Sequence, residues 1–115
     1  MDFLASKKNT IFIGQAVAVP GTAMSNTLKD IAKKKLIELP VAEEMQMGMS
    51  LGLAMDENVT ISIFPRWNFV LYGINQLVNH IDKFRVYQFA NKVLQYCLRI
   101  IFHWYSSIDW TRIRK

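Results

Sequence analysis

The sequence predicts an α/β domain in which helices cover both faces of a parallel sheet, a three-layer arrangement. Three short apolar runs are predicted to be strands, and the first and third of them are rich in β-branched residues. Each run is followed by a turn or proline signal and then by a segment of helical composition. This alternation favours parallel strands joined by crossover helices, and 115 residues suffice for one such domain.

The predicted elements follow one another in a regular order. The strands cover residues 10–17, 36–39 and 59–64. The helices cover residues 26–34, 44–55 and 68–85. Pro20-Gly21 marks the turn after the first strand, and Ser25 or Asn26 is a suitable N-cap for the helix that follows. Pro40 and Pro65 end the second and third strands, because proline cannot donate to the ladder of a sheet.

The last thirty residues differ in character from the rest of the chain. Residues 86–115 contain no glycine, proline or glutamate and are rich in aromatic side chains. Apolar residues recur there at helical spacing, at positions 90, 93, 94, 97, 98, 101, 104 and 105. The sequence therefore predicts a body over residues 9–85 and a basic, aromatic helical tail over residues 86–115. Such a tail would cover an open sheet edge, or lie on a partner or an anionic membrane surface.

Charge and cysteine content narrow the classes of function. The net charge is +5, and most of it belongs to the tail, so the nearly neutral body shows no basic face for nucleic acid. Cys97 is the single cysteine, which excludes an internal disulfide. The sequence has no run of 18 apolar residues and no signal-peptide pattern at its start. A cytoplasmic protein is the resulting expectation.

Polar and aromatic residues follow the predicted strands. Gln15, Glu43 and the residues 67–69 all fall just beyond strand ends. The carboxyl ends of parallel strands meet at one edge of a sheet, where ligands bind in folds of this class. The sequence therefore predicts a site at that edge.

Three segments resemble one family of enzymes. The segment LPVAEEMQMGMSLGLA at 39–54 resembles the Pro-Ile-Ser-Glu…Gly…Gly-Ala-Ala segment of thiamine diphosphate enzymes, in particular the beta subunits of 2-oxo acid dehydrogenases within the transketolase-like group. FPRWNFVLYGINQLVNHIDK is similar to the Phe-Asn-Phe…Asp-Gln…Asn helix of that family, and NTIFIGQAVA to its opening strand and Gly-Glu-(Asp/Glu)-Val turn. The resemblance implies a pyrimidine-binding domain over 9–85 that ends early.

The resemblance also implies roles for particular residues. In the family, the glutamate that matches Glu43 donates a hydrogen bond to a ring nitrogen of the aminopyrimidine of thiamine diphosphate, and so favours the tautomer that removes the thiazolium proton. Phe69 matches the aromatic residue that stacks on the pyrimidine. Gly48 and Gly52 match a helix that packs at a subunit interface, so an oligomer is implied. Glu44 is then expected to be a surface acid.

The residues alone also permit simpler explanations. Glu43 would be an acid at a helix N-terminus, where the helix dipole favours negative charge. Phe69 would be a core aromatic on an amphipathic helix. Gly48 and Gly52 would permit close packing within one chain, which would offset a helical cost of about 1 kcal/mol for each glycine.

Two departures from the family pattern leave the activity open. Gln15-Ala16 stands where the family has an acidic turn, and Asn75 stands where it has an aspartate of the proton-conducting network between paired sites. The Gly-Asp-Gly…Asn motif, which binds metal and diphosphate on a partner domain of the family, is absent. The resemblance thus implies thiamine diphosphate shared with an alpha-subunit-like partner, with magnesium bound only through that partner.

Three functions remain open at this point. The first is the pyrimidine-binding half of a thiamine diphosphate-dependent 2-oxo acid dehydrogenase. The second is a non-catalytic remnant or interaction module with the same core. The third is a basic protein that associates peripherally with membranes, which depends only on the tail.

Overall fold

The computed structural model describes residues 2–83 and 99–102, and it shows a small α/β domain built on a parallel sheet. The strands are β1 (Thr10–Gly14), β2 (Leu36–Glu38), β3 (Val59–Phe64) and β4 (Arg99–Phe102). The helices are α1 (Asp2–Ala5), α2 (Ala23–Thr27), α3 (Glu43–Met55), α4 (Trp67–Val70) and α5 (Ile74–Gln76). Two 3-10 turns cover Lys33–Lys35 and Leu71–Gly73, and a π-helical turn covers Leu77–Ile81.

The described strands form one sheet with the order β2-β1-β3-β4, and all neighbours are parallel. Phe12 in the centre of β1 lies opposite Leu36 of β2 and Ile61 of β3. The chain runs from β1 outward to β2 and then crosses back to form β3 on the other side of β1. This reversal places a topological switch point between the carboxyl ends of β1 and β3, where sheets of this kind bind ligands.

The main apolar core lies on the face of the sheet that α1 and α2 cover. Phe12, Ile61 and Ile63 of the sheet pack there with Met24 of α2 and with Leu28, which follows α2. Leu28 and the three sheet residues have no exposed surface. Burial of apolar side chains of this size stabilises a fold by about 1.5–3 kcal/mol each, so this cluster is the principal apolar contribution to the described fold.

A second and smaller apolar cluster lies on the opposite face of the sheet. It consists of Met47 of α3, Phe64 of β3 and Val70 of α4, with Phe69 and Ile81 packed at its margin. Helices therefore cover both faces of the sheet, as the sequence predicts.

The helix α3 buries three polar side chains besides Met47 and Ala54, and it exposes apolar ones. Its buried side chains include Glu43, Gln46 and Ser50, which lie three or four residues apart on the side that faces the sheet. Met45 and Met49, on the other side, are exposed. An amphipathic helix on a globular domain usually buries apolar side chains and exposes polar ones. The buried polar side chains and the exposed methionines of α3 therefore need a physical explanation.

Three elements agree with their predicted ranges to within one residue: β2, α3 and β3. The prediction for β1 is wrong at its carboxyl end, because the strand stops at Gly14 rather than at residue 17. Gly14 has a φ of +153° and Ala16 a φ of +58°, so the backbone turns away from the sheet at this point.

The helix predicted over residues 26–34 forms earlier and is shorter. Thr22, rather than Ser25 or Asn26, is the N-cap of α2. Thr22 Oγ1 accepts a hydrogen bond from the backbone N of Ser25 at 3.0 Å, and Ser25 Oγ accepts one from the backbone N of Thr22 at 3.1 Å. This reciprocal capping box starts the helix at Ala23. The lysine run at 33–35 forms a 3-10 turn instead of a helix end.

The long helix predicted over residues 68–85 begins at Trp67 and is irregular, since α, 3-10 and π turns follow one another. The 3-10 turn ends at Gly73, where the chain returns to α geometry. A Cβ at Gly73 would lie 2.9 Å from Met47 Cγ and 3.3 Å from the backbone O of Glu43. The backbone of this turn therefore rests directly against α3. Residues 84 and 85 of the predicted helix lie outside the described residues.

The prediction of a helical tail is wrong for residues 99–102, which form β4. Ile100 lies opposite Ser62 of β3, and Ile101 lies opposite Ile63. Consecutive β-branched residues favour a strand, and pairing removes an open edge from β3. The rest of the tail, residues 86–98 and 103–115, lies outside the described residues.

Candidate functional site

The carboxyl edge of the sheet holds the residues that the sequence places there. Gln15 follows β1 directly, Glu43 is the first residue of α3, and Trp67 is the first residue of α4. The structure brings Gln15 and Glu43 into direct contact across the edge. It leaves Trp67 largely exposed at the start of α4.

Glu43 and Gln15 form a buried polar pair. Only 5% of Glu43 and 7% of Gln15 is exposed. Gln15 Nε2 donates a hydrogen bond of 3.0 Å to Glu43 Oε1. Within the part of the chain that the structure describes, Gln15 is the donor to this carboxyl. The carboxyl also lies at the N-terminus of a 13-residue helix, where backbone N–H groups favour an acidic side chain.

A second buried amide, Gln46, lies three residues after Glu43 on the same face of α3. Gln46 Nε2 donates to the backbone O of Ile63 at 2.9 Å and lies 2.8 Å from Ser62 Oγ. Its Oε1 is buried and has no hydrogen-bond partner among the described residues. The amide ties α3 to the carboxyl end of β3. The sequence analysis missed this residue, because a glutamine on a helix of a globular domain is expected to be exposed.

The close approach of Gln46 to the sheet depends on Gly14. A Cβ at this position would lie 2.2 Å from the backbone O of Ile63 and 3.1 Å from Gln46 Nε2. No side chain fits such a space, and the φ of +153° is also one that only glycine adopts readily. Gly14 thus allows the amide to reach the strand ends. We call Gln15, Glu43 and Gln46 the polar cluster.

Phe69 lies at the margin of the smaller apolar cluster rather than at its centre. Its ring is half-buried and packs against Met47, Phe64 and Val70. The guanidinium carbon of Arg66 lies 5.7 Å from the ring centroid, a cation–π distance. Because part of the ring is exposed, the position is compatible with a stacking surface as well as with a core role.

The two glycines of α3 have open space around them. A Cβ at Gly48 or Gly52 would meet no atom within 4 Å. Close packing against other described residues of the chain therefore does not account for either glycine. With Met45 and Met49 they form an uncharged surface, which we call the outer face of α3.

Glu44 and Asn75 belong to the surface and not to the polar cluster. Glu44 is exposed, and its Oε1 accepts a hydrogen bond of 3.2 Å from Asn75 Nδ2. Asn79 Nδ2 donates to Asn75 Oδ1 at 2.8 Å, and Lys83 Nζ donates to Asn79 Oδ1 at 3.2 Å. The prediction that Glu44 is a surface acid is confirmed. Asn75 is connected to Glu44 rather than to Glu43.

Comparisons with known proteins leave the family open. The sequence matches no protein-family model and no curated protein at a significant level. Within residues 2–83 and 99–102, no three His, Cys, Asp or Glu side chains are grouped as metal ligands would be. None of the described helices has the length and apolar character needed to cross a membrane.

Proposed function

We propose that this chain is the pyrimidine-binding half of a thiamine diphosphate-dependent protein similar to the beta subunits of 2-oxo acid dehydrogenases. The observation that carries the proposal is the buried Glu43 carboxyl at the carboxyl edge of a parallel sheet, which among the described residues accepts a hydrogen bond on Oε1 from Gln15. Its sequence context, between Pro40 and the glycines of α3, is the one that resembles the family. The finer assignment of the fold to that family is part of the same proposal.

The hydrogen-bonding groups of Gln15 and Glu43 are suited to an aminopyrimidine. The amide of Gln15 donates to Oε1, so in the protonated carboxyl the proton resides on Oε2. That oxygen can then donate to a ring nitrogen. Burial in a low-dielectric place strengthens a hydrogen bond formed there. Bound thiamine diphosphate would supply a thiazolium that forms a carbanion, while the protein supplies placement and electrostatics.

The remaining parts of the site are assigned to other chains. The described residues include no group suited to magnesium, and hard cations of this kind bridge diphosphate oxygens to carboxylates. We therefore assign the diphosphate and magnesium to an alpha-subunit-like partner. The outer face of α3, with Gly48 and Gly52, is the surface that we assign to an oligomer contact. A cytoplasmic location belongs to the same proposal.

A pyrimidine fragment tests the half-site without a partner or a metal. 4-Amino-2-methylpyrimidine would be titrated into the full chain and followed by NMR. We expect weak binding that shifts the side-chain amide signals of Gln15 and the ring signals of Phe69. Glu43→Gln should remove the saturable shifts, whereas Glu44→Gln should retain them. Saturable shifts that survive in Glu43→Gln, or no shifts in the unmodified chain, would contradict the proposal.

A second experiment tests the division of the cofactor site. We expect the lone chain to bind thiamine diphosphate weakly or not at all in the presence of magnesium, because it lacks ligands for the charged diphosphate. Addition of an alpha-subunit-like partner should produce binding. Sub-micromolar binding to the lone chain in calorimetry would show that the diphosphate site lies within it.

A non-catalytic interaction module is the second candidate function. It is favoured by the neutral residues Gln15 and Asn75 at positions where the family has acids, and by the uncharged outer face of α3. In this case an oligomer would form through that face while the fragment titration gave no saturable shift. The third candidate, a peripheral membrane protein, depends on the tail, and flotation with anionic liposomes tests it directly.

A further inference from the structure

A carboxylate from the neighbouring strand holds the turn after β1. Glu38, the last residue of β2, accepts a hydrogen bond from the backbone N of Ala16 at 2.6 Å on one oxygen. Its other oxygen accepts one from the backbone N of Ala18 at 2.7 Å. The amides of residues i and i+2 thus point to a single anion. Backbone amides arranged around a left-handed residue form a concave nest for anions, and Ala16 with φ +58° is such a residue.

Glu38 itself supplies the anion of this nest. The turn is therefore closed by a side chain of the chain, and not by an external ligand. Hydrogen bonds to an ionised carboxylate are roughly twice as strong as neutral ones. They also offset the cost of a left-handed alanine, which is unfavourable for any residue with a Cβ. The contact is thus strong enough to fix the local backbone.

The hydrogen bonds from the end of β2 hold the backbone on both sides of Gln15. On the C-terminal side, Ala16 is held by Glu38. On the N-terminal side, the backbone O of Gly14 accepts a hydrogen bond of 2.9 Å from the backbone N of Leu39, the residue after Glu38. The end of β2 therefore secures the backbone on both sides of Gln15.

We infer that Glu38 is a positioning residue for the polar cluster. It does not touch Glu43, but it fixes the backbone from which the Gln15 side chain reaches Glu43 Oε1. The orientation of the Glu43 carboxyl thus depends on a carboxylate on a different strand. The functional meaning of this arrangement rests on the role proposed for Glu43, whereas its geometry can be tested without any cofactor.

Glu38→Gln is the informative variant, because glutamine keeps the size of the side chain but can accept on one oxygen only. NMR of the full chain would report three quantities: exchange of the Ala16 and Ala18 amides, the side-chain amide signals of Gln15, and exchange of the β3 amides. We expect roughly 10- to 100-fold faster exchange of at least one turn amide, corresponding to loss of a charged hydrogen bond. The Gln15 side-chain signals should shift and average, while exchange in β3 stays unchanged.

Glu57→Gln is the matched control, since it removes the same charge from the turn before β3, at the opposite edge of the sheet. It should change neither the exchange rates of the Ala16 and Ala18 amides nor the side-chain amide signals of Gln15. Unchanged Gln15 signals in Glu38→Gln, together with faster exchange in the turn, would show a purely local clamp and overturn the inference.

A measurement on the unmodified chain covers the case in which Glu38→Gln does not fold. Scalar coupling across the hydrogen bonds should link the Ala16 and Ala18 nitrogens to the carboxyl carbon of Glu38. Absence of both couplings would also overturn the inference. If the pyrimidine fragment fails to bind while the Gln15 response is observed, the proposed function fails and the positioning role stands.

Discussion

Gly14→Ala should be among the most destabilising single-methyl changes in the described part of the molecule. The added Cβ would lie 2.2 Å from the backbone O of Ile63 and 3.1 Å from Gln46 Nε2. Overpacking of this kind costs about 1–3 kcal/mol. The φ of +153° adds strain of about 1–3 kcal/mol for a residue with a Cβ. We therefore expect the free energy of unfolding to fall by about 3 kcal/mol or more, a large share of the total for a small domain.

Three other glycines provide graded controls for this change. At Gly21, φ is +94° with no atom within 4 Å of a Cβ, so alanine there adds strain without a clash. At Gly48 and Gly52 the space is open and the conformation is helical, so alanine should raise the unfolding free energy of the monomer by up to about 1 kcal/mol. The expected order of stability is Gly48→Ala above the unmodified chain, then Gly21→Ala, then Gly14→Ala.

Urea unfolding followed by circular dichroism would measure these differences, with midpoints compared at a constant m-value. A Gly14→Ala variant within about 0.5 kcal/mol of the unmodified chain would refute the packing argument, because only a surface change is expected to be that small. The same series reports on the outer face of α3. If Gly48→Ala destabilises the chain only at high protein concentration, the added methyl disrupts a contact between copies.

The remaining predictions concern the polar cluster and the sheet edge. In a complex with the partner, Glu43→Gln should abolish exchange of the thiazolium C2 proton of thiamine diphosphate, and Glu44→Gln should change it little; equal effects of both would refute the assignment of Glu43. Gln46→Met removes the donor to the backbone O of Ile63 and should lower the unfolding free energy by about 1–2 kcal/mol. The cost of leaving that carbonyl unpaired is partly offset, because the buried Oε1 without a hydrogen-bond partner is also removed. A variant that is more stable than the unmodified chain in urea unfolding would show that the hydrogen bond to Ile63 does not stabilise the fold. Backbone amides of Arg99–Phe102 that donate to β3 should exchange as slowly as those of β3, and hydrogen exchange at the random-coil rate would contradict the strand.

Much of the sheet could be predicted from local sequence. β3 matches its predicted range because alternating β-branched residues end at Pro65, and α3 matches because Pro40 bounds it from the N-terminal side. The prediction for α2 failed because Thr22 and Ser25 cap each other, a pairing that a search for a single cap residue overlooks. The prediction for β4 failed because apolar spacing also fits a helix, while the open edge of β3 is a tertiary feature.

The candidate site was predicted in part. Glu43 and Gln15 could be placed together, because each follows a strand end and parallel strands share an edge. Gln46 could not be placed with them. A helix is expected to bury its apolar residues, so a polar residue such as Gln46 is expected to be exposed. The role of Glu38 could not be predicted either. Its partners are backbone amides, which every residue other than proline has, so the sequence does not indicate the contact.

The arrangement of methionines on α3 gives the molecule a built-in chemical footprint. Met45, Met49 and Met55 are exposed, whereas Met47 and Met24 are buried. Dilute peroxide oxidises accessible thioethers to sulfoxides first, so the three exposed methionines should react before the two buried ones. Any protein that covers the outer face of α3 would slow the oxidation of Met45 and Met49 together and leave the buried Met47 and Met24 as an internal reference. Tandem mass spectrometry, in which fragmentation of the tryptic peptide 36–66 locates each sulfoxide, would then report coverage of this face in a mixture and without a label.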